Sequence, residues 1–343
     1  MNIIIYGAGQ DGEIAYRTLM MFPENEILFF VDRDPDKQSD TFCGRRVLPI
    51  SVLDDYLDKN VRIVISTRGS YVEVFNKLKM MGFTDIIGLG NDLWNDKRRR
   101  HYIYSILNKE RCIDLGKFLY QDSESICLPQ VPFVNGGSGI MDYAFLYVIA
   151  KKLRLNTYLE IGTYIGTSIN IMSRVCKRCY GVTAPIGAPY SMRQWCKTRN
   201  IPDYSSALTN RDNIKMYYAN SRKFDFSIID DDIDIFFIDG DHTYNGVYSD
   251  TRSIFELRKP SSIVVWHDFT QDDYSDDVIL AVKDFLGDDF DNVYITNNNI
   301  CGIYIPQEYK KVFPTTVKEF KETSDQKMYV YDLVLKQGLI DLG

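Results

Sequence analysis

The stretch Leu159-Glu160-Ile161-Gly162-Thr163-Tyr164-Ile165-Gly166-Thr167-Ser168 decides how this chain is read. Apolar residues lead into it from Thr157, Glu160 stands near their end, and two glycines bracket a turn that gives way to Thr167 and Ser168. That order predicts a strand closing on a carboxylate, a glycine-hinged turn and the first turn of a helix. Backbone N–H groups and a helix N-terminus then face a ligand beside an acidic side chain. A carboxylate there suits a ligand carrying a cationic amine better than one carrying a pyrophosphate.

Working outward, Ile233 to Ile238 reads as a second strand that delivers Asp239, Asp241 and His242 to one corner. Ile263-Val264-Val265-Trp266 reads as a third and ends in His267-Asp268. Open α/β sheets bind ligands at the carboxyl ends of their strands, so these corners are candidate chemistry. The chain has 3 histidines, His101, His242 and His267, and two of them fall here. Asp239, His267 and Asp268 have the donor types for one hard divalent cation, magnesium or manganese. They equally suit a metal-free acid–base pair, a carboxylate orienting an imidazole that takes a hydroxyl proton. Cys179 to Val182, Met216 to Tyr218 with the loop Ala219-Asn220-Ser221, and a hairpin from Val293 to Ile305 supply the remaining strands. Helical spacing covers about Asp142 to Lys152 and Tyr248 to Leu257. The glycine-rich Asn135 to Gly139 before the first of these helices is either a lid or a plain turn.

The front of the chain has its own signature. Asn2 to Tyr6 is an apolar run broken by Gly7-Ala8-Gly9-Gln10-Asp11-Gly12, a helical pattern follows, and Ile27 to Val31 ends at Asp32. Strand, GxGxxG, helix, strand and acid is the context of a dinucleotide-binding turn, with Gly7, Gly9 and Gly12 admitting phosphates and Asp32 a ribose hydroxyl. Only two further strands, near Arg62 to Ser66 and Asp85 to Ile87, fit before the αβ rhythm stops. That is room for about one and a half mononucleotide halves rather than two.

At 343 residues, 45% hydrophobic and 25% charged, the chain has ordinary globular composition and length for two domains. Its net charge of −7 argues against nucleic acid as the main partner. The basic run Lys97 to His101 reads as a solvated helix face. No apolar stretch has the length of a membrane span, and the β-like run Ile3-Ile4-Ile5 leaves no secretory signal, so a cytoplasmic protein without membrane insertion is expected. Seven cysteines, an odd number, fit reduced thiols, and the lone Cys176-Lys177-Arg178-Cys179 reads as structural. The expected domains are residues 1–90, a small Rossmann-like unit; 91–130, a helical connector with Trp94, Tyr102, Tyr104, Ile106, Leu107, Phe118 and Leu119; 131–306, the main α/β domain; and 307–343, a helical tail with spacing at Val317 and Phe320.

On these residues the run from Glu160 to Ile305 resembles class I S-adenosylmethionine (SAM)-dependent methyltransferases. Ile238 to Tyr244 with Leu257 to Phe269 looks most like the bacterial branch holding macrocin O-methyltransferase and cephalosporin hydroxylase proteins. The resemblance implies a seven-stranded sheet with a C-terminal antiparallel hairpin, so that the fold class is α/β with two Rossmann-like domains. It implies that Glu160 takes the methionine ammonium and that Gly162, Thr163, Gly166, Thr167 and Ser168 line the cofactor. Asn220, Ser221 and Asp241 follow at the nucleoside end. Thr183 stands where the family has a ribose-binding acid; a hydroxyl keeps a hydrogen bond but loses its charge assistance. Asp239, His242 and His267 are the implied acid–base groups, and Asp239, His267 and Asp268 the implied magnesium or manganese ligands.

Gly7 to Gly12, Val31 to Pro35, Gly44 to Pro49 and Met81-Gly82-Phe83 resemble the small front domain of bacterial sugar-modifying acyltransferases, which implies a nucleotide or nucleotide-sugar ligand. The combined expectation is O-methylation of a sugar hydroxyl on a small-molecule or glycan acceptor, in surface-polysaccharide or natural-product biosynthesis. An NAD-dependent oxidoreductase acting on a nucleotide-sugar, a non-catalytic ligand-binding protein of the same shape, and a homo-oligomer all stay open.

Overall fold

The computed structural model describes residues 1–38, 41–57, 60–67, 70–88, 106–107, 111–120, 126–128, 131, 137–185, 188, 197, 208–270 and 276–316. The chain forms two compact units, Met1–Ile106 and Leu107–Gly343. Both are α/β, each built on its own sheet.

In the first unit β1 (Asn2–Tyr6), β2 (Glu26–Val31), β3 (Thr41–Phe42), β4 (Arg45–Leu48), β5 (Val61–Ile65) and β6 (Ile86–Gly88) order as β3-β4-β2-β1-β5-β6. All neighbouring pairs are parallel except β3 with β4. Strand alternation splits the apolar residues between two faces. Ile3 and Ile5 pack with Ile14, Ala15 and Leu19 of α1 (Gln10–Met20), whereas Ile4 and Tyr6 pack with Val74 and Leu78 of α2 (Tyr71–Met81). Gly7 takes φ +114°, and a Cβ on Gly12 would lie 2.1 Å from the Gly7 carbonyl oxygen. Glycine at both positions lets the helix start directly on the turn.

The second unit holds β7 (Cys112–Ile113), α3 (Leu115–Tyr120), α4 (Ile140–Leu153), β8 (Thr157–Ile161), α5 (Thr167–Met172), β9 (Arg178–Thr183), β10 (Ile214–Tyr218), β11 (Ile235–Ile238), α6 (Tyr244–Leu257), β12 (Ile263–Trp266), α7 (Asp276–Leu286), β13 (Val293–Thr296), β14 (Gly302–Tyr304) and β15 (Thr315–Thr316). Their order is β10-β9-β8-β11-β12-β14-β13-β7-β15. The first seven in that order are the strands expected from sequence, with β13 and β14 as the antiparallel hairpin. The sheet extends past seven, because Cys112–Ile113 adds to β13 in parallel and Thr315–Thr316 closes antiparallel on it.

On one side of the sheet an apolar cluster buries Phe118, Phe145, Leu146, Ile149, Tyr158, Ile169, Phe237, Val265 and Ile303. Phe118 stacks on Phe313 at 4.9 Å, and Lys152 donates to the Phe118 carbonyl at 2.6 Å. Of the expected connector, Trp94, Tyr102 and Tyr104 lie outside the described residues, as do Val317, Phe320 and the rest of the tail beyond residue 316. Gln307–Val312 forms 3₁₀ turns.

Candidate active site

The three central strands end level with one another. Ile161 pairs with Ile238, and Ile238 with Trp266, so the residues that follow emerge side by side. The ladder continues one step into the loops, since Asp239 N–H donates to the Ile161 carbonyl at 2.8 Å and His267 N–H to the Ile238 carbonyl at 3.0 Å.

Glu160 is fully buried. Its Oε2 accepts from the Tyr158 hydroxyl at 2.5 Å, whereas Oε1 has no hydrogen-bond partner among the described residues. Burial pushes its carboxyl up to about 7, against the hydroxyls of Tyr158, Ser168 and Thr163, which favour the charged form. A carboxylate held like this is short of a cationic or donor partner. The turn beside it tolerates only glycine at two points. Gly162 has φ +91° and its Cβ would lie 1.9 Å from the Asp239 carbonyl oxygen; Gly166 has φ +88°, and its Cβ would lie 2.7 Å from Thr209 Cγ2. Thr163, Thr167 and Ser168 are buried beside them.

At the next two strand ends Asp239, His242, His267 and Asp268 converge. His242 Nδ1 lies 2.9 Å from Asp268 Oδ2 and its Nε2 3.4 Å from Asp239 Oδ1. His267 Nδ1 lies 3.3 Å from Asp239 Oδ1 and 3.4 Å from Asp268 Oδ2. His242 is exposed at the mouth while His267 is buried with its ring edge-on to Phe237. Both imidazoles stay charged well past neutrality, because the facing carboxylates outweigh the burial that opposes them. The His242 value lies near 10 and the His267 value higher. The same pairing holds Asp239 and Asp268 below the usual carboxylate range, although burial pushes the other way. Asp268 sits at φ +51°, a left-handed conformation that Asp tolerates better than most residues.

Asp239, His242 and Asp268 each offer one donor atom within 4.8 Å of the others, and could hold one cation. His267, expected among the ligands, faces the same two carboxylates from the buried side, and His242 stands with them in this group. Two carboxylates this close need positive charge between them, which the imidazoles supply here and a divalent ion would supply as well.

The residues expected at a nucleoside end lie on the neighbouring strand ends. Asn220 spends its side-chain oxygen on the Arg222 N–H at 3.0 Å, and Thr183 ends β9 half-buried. Asp241 pairs with Arg222 and accepts from the Thr243 N–H at 3.0 Å. Arg222, which ties the loop after β10 to the loop after β11, carries no motif in the sequence.

Nor does the start of α4, which also reaches the site. Ser138 donates to Asp239 Oδ2 at 3.2 Å, and buried Asp142 lies 3.3 Å from His267 Nε2. The buried Tyr143 phenol is pushed up to about 12, by burial first and also by the nearby Asp239 and Glu160, while the Thr167 and Ser138 hydroxyls pull the other way. The only available signals for these three were a glycine-rich loop and an acid at the head of an apolar helix.

In the first unit, Asp32 accepts from the Ala8 N–H at 2.7 Å and from the Asp34 N–H at 3.0 Å, and pairs with Lys37 at 3.3 Å. The Lys37 ammonium lies 4.0 Å from where a Gly9 Cβ would stand, so a cation overhangs the glycine turn.

A sheet of this order carries a buried acid with one unpartnered oxygen at the end of β8 and two carboxylate–imidazole pairs after β11 and β12, at the carboxyl strand ends where open α/β sheets place ligands. Residues 159–269, about a third of the chain, match the family model Methyltransf_24, described as a methyltransferase domain. Uncharacterized protein R132 of Acanthamoeba polyphaga mimivirus is 28% identical over 138 residues, which are 38% of this chain and 60% of that protein. The chain thus spans less than two thirds of that relative. Solved structures similar to it include a Podospora anserina methyltransferase bound to S-adenosylhomocysteine, 13% identical, with 63% of this chain and 99% of that chain covered and a TM-score of 0.37. Another is a Bacillus cereus O-methyltransferase, also bound to S-adenosylhomocysteine, 12% identical, with 63% and 94% covered and a TM-score of 0.34. Among the described residues no helix is long and apolar enough to cross a membrane.

Proposed function

We propose that this protein is a SAM-dependent methyltransferase acting on a hydroxyl. The observation that carries the reading is Glu160: a fully buried strand-end carboxylate with one oxygen unpartnered, level with an acid–base cluster on the two adjacent strands. Glu160 Oε1 takes the methionine ammonium, the backbone at Gly162 and Gly166 passes close to the cofactor, and Asn220, Ser221 and Asp241 border its nucleoside. SAM supplies an electrophilic methyl on a sulfonium. The chain's own residues bring the acceptor oxygen in line with it, and positioning provides most of the rate.

A hydroxyl entering at the mouth meets His242 first, since that ring is exposed while Asp239 and His267 lie deeper. Because His242 is already protonated, the acceptor proton passes to a carboxylate oxygen of Asp239 or Asp268 as the oxygen attacks, with the imidazolium steadying the charge beside it. A magnesium or manganese ion held by Asp239, His242 and Asp268 would lower the hydroxyl pKa at the same place.

The acceptor we propose is a sugar hydroxyl, and the first unit a nucleotide- or nucleotide-sugar-binding module. This rests on its sequence resemblance, supported by the glycine turn and the overhanging Lys37. Calorimetry with SAM, S-adenosylhomocysteine, NAD and UDP-sugars tests the scheme. SAM and S-adenosylhomocysteine should bind the wild type and fail on E160A, with UDP-sugar binding intact in both. No SAM affinity below the millimolar range would end the methyltransferase reading, and NAD binding in its place would establish an oxidoreductase.

A further inference from the structure

We infer that Asp142, at the head of α4, is a positioning residue that fixes the ring of His267 and ties it to the backbone of the segment before the helix. The inference rests on the acid–base role proposed above for the His267 cluster.

Asp142 is 3% exposed and uses both carboxylate oxygens. Oδ2 accepts from the Gly139 N–H at 2.7 Å and faces His267 Nε2 at 3.3 Å, while Oδ1 faces the Cys301 thiol at 3.6 Å. A carboxylate only accepts, so the His267 nitrogen facing it carries the proton. The ring can then present nothing but Nδ1 to Asp239 and Asp268, at 3.3 and 3.4 Å. A carboxylate behind an imidazole fixes the ring's orientation without touching the reacting atoms.

The other contact of Oδ2 gives the arrangement its second function. Gly139 N–H has no intrahelical acceptor at the start of α4, and Asp142 caps it three residues on. The neighbouring Ser138 hydroxyl donates to Asp239 at 3.2 Å. One short segment therefore touches both partners of the cluster, Asp239 through Ser138 and His267 through Asp142. A shift of residues 138–139 changes the orientation of His267 and the hydrogen bonding of Asp239 together. Cys301 on the far side of Asp142 comes from the hairpin loop before β14, so the brace is held from two directions.

With three histidines in the chain, the full-length protein labelled with [¹⁵N]histidine gives three ring systems, assigned with H101Q and H242Q. In the wild type, His267 should show an Nε2–H proton protected from solvent exchange. D142A should lose that signal while leaving the His101 ring unmoved. D142N keeps the shape and an acceptor but not the charge, and should retain the proton, shifted upfield by the weaker hydrogen bond. A wild type without a protected His267 Nε2–H, a folded D142A that keeps it, or a D142N with the wild-type shift would each overturn the assignment. Should D142A fail to fold, the wild-type and D142N spectra still decide. SAM calorimetry on the wild type runs alongside: absence of SAM binding defeats the methyltransferase reading without altering what the ring signals say about Asp142.

Discussion

Replacing Glu160 with Gln should make the ligand-free protein more stable and the cofactor complex weaker. The carboxylate is fully buried, and its pKa moves from an ordinary 4.5 to about 7 in the folded state. The unfolded chain therefore releases this proton near 4.5, while the folded chain holds it up to about 7. Across that window the native state binds more protons, so this group's contribution makes stability fall as pH rises, levelling off above the folded value. The loss amounts to roughly 3 kcal/mol at full ionisation. Gln is neutral throughout and nearly isosteric, so E160Q should escape most of it and exceed the wild type by about 1–3 kcal/mol at pH 8, with little difference at pH 4.5.

Binding should move the other way. A charge-assisted contact to an ammonium is worth about 1.5–3 kcal/mol, so SAM affinity should drop roughly 10- to 150-fold. Wild-type affinity should itself climb with pH towards 7 as Glu160 ionises, a dependence that E160Q lacks. Urea unfolding of both proteins at the two pH values, with SAM calorimetry in parallel, measures all of this. An E160Q that is no more stable than the wild type at pH 8, or that keeps SAM affinity within about threefold, would refute the reasoning.

Gly162→Ala meets both a left-handed φ and the Asp239 carbonyl; loss of SAM binding with a marked fall in melting temperature is expected, the backbone conformation alone costing about 1–3 kcal/mol. Calorimetric titration with Mn²⁺ should detect one site in the wild type that D268N and H242A both abolish, whereas binding retained in H242A would move the site back towards His267. Thr251→Val leaves the buried Trp266 indole N–H, which donates to Thr251 Oγ1 at 3.0 Å, without a partner, and denaturant unfolding should show a loss of about 1–3 kcal/mol. Phe118→Ala removes a buried ring stacked on Phe313 and edge-on to Phe145, and should cost about 3–5 kcal/mol in the same assay without changing SAM affinity.

The strand ends were legible from sequence because each is a local pattern. A run of apolar residues, a carboxylate and a glycine turn specify Glu160 and its loop within ten residues, and the same holds for Ile238-Asp239 and Trp266-His267-Asp268. The edge strands were not legible. Cys112–Ile113 and Thr315–Thr316 are two residues each, far apart in the chain, and no periodicity accumulates over so short a span. Asp142 reads in sequence only as an acid at the head of an apolar helix; that it caps Gly139 and also reaches His267 depends on packing α4 against the sheet. That His242 joins Asp239 and Asp268 in the candidate cation group has the same origin. Spacing puts both histidines at strand ends, but only the three-dimensional loop decides which ring faces the opening.

The register Ile161–Ile238–Trp266 acts as a ruler. Adjacent strands stand about 4.8 Å apart, so Glu160 and the carboxylate–imidazole groups are separated by one and two strand spacings fixed by backbone hydrogen bonds. Lengthening or trading the loops above the sheet leaves that separation untouched. Under the proposed function, acceptor preference can therefore drift by loop replacement while the methyl donor and the proton acceptor keep their distance.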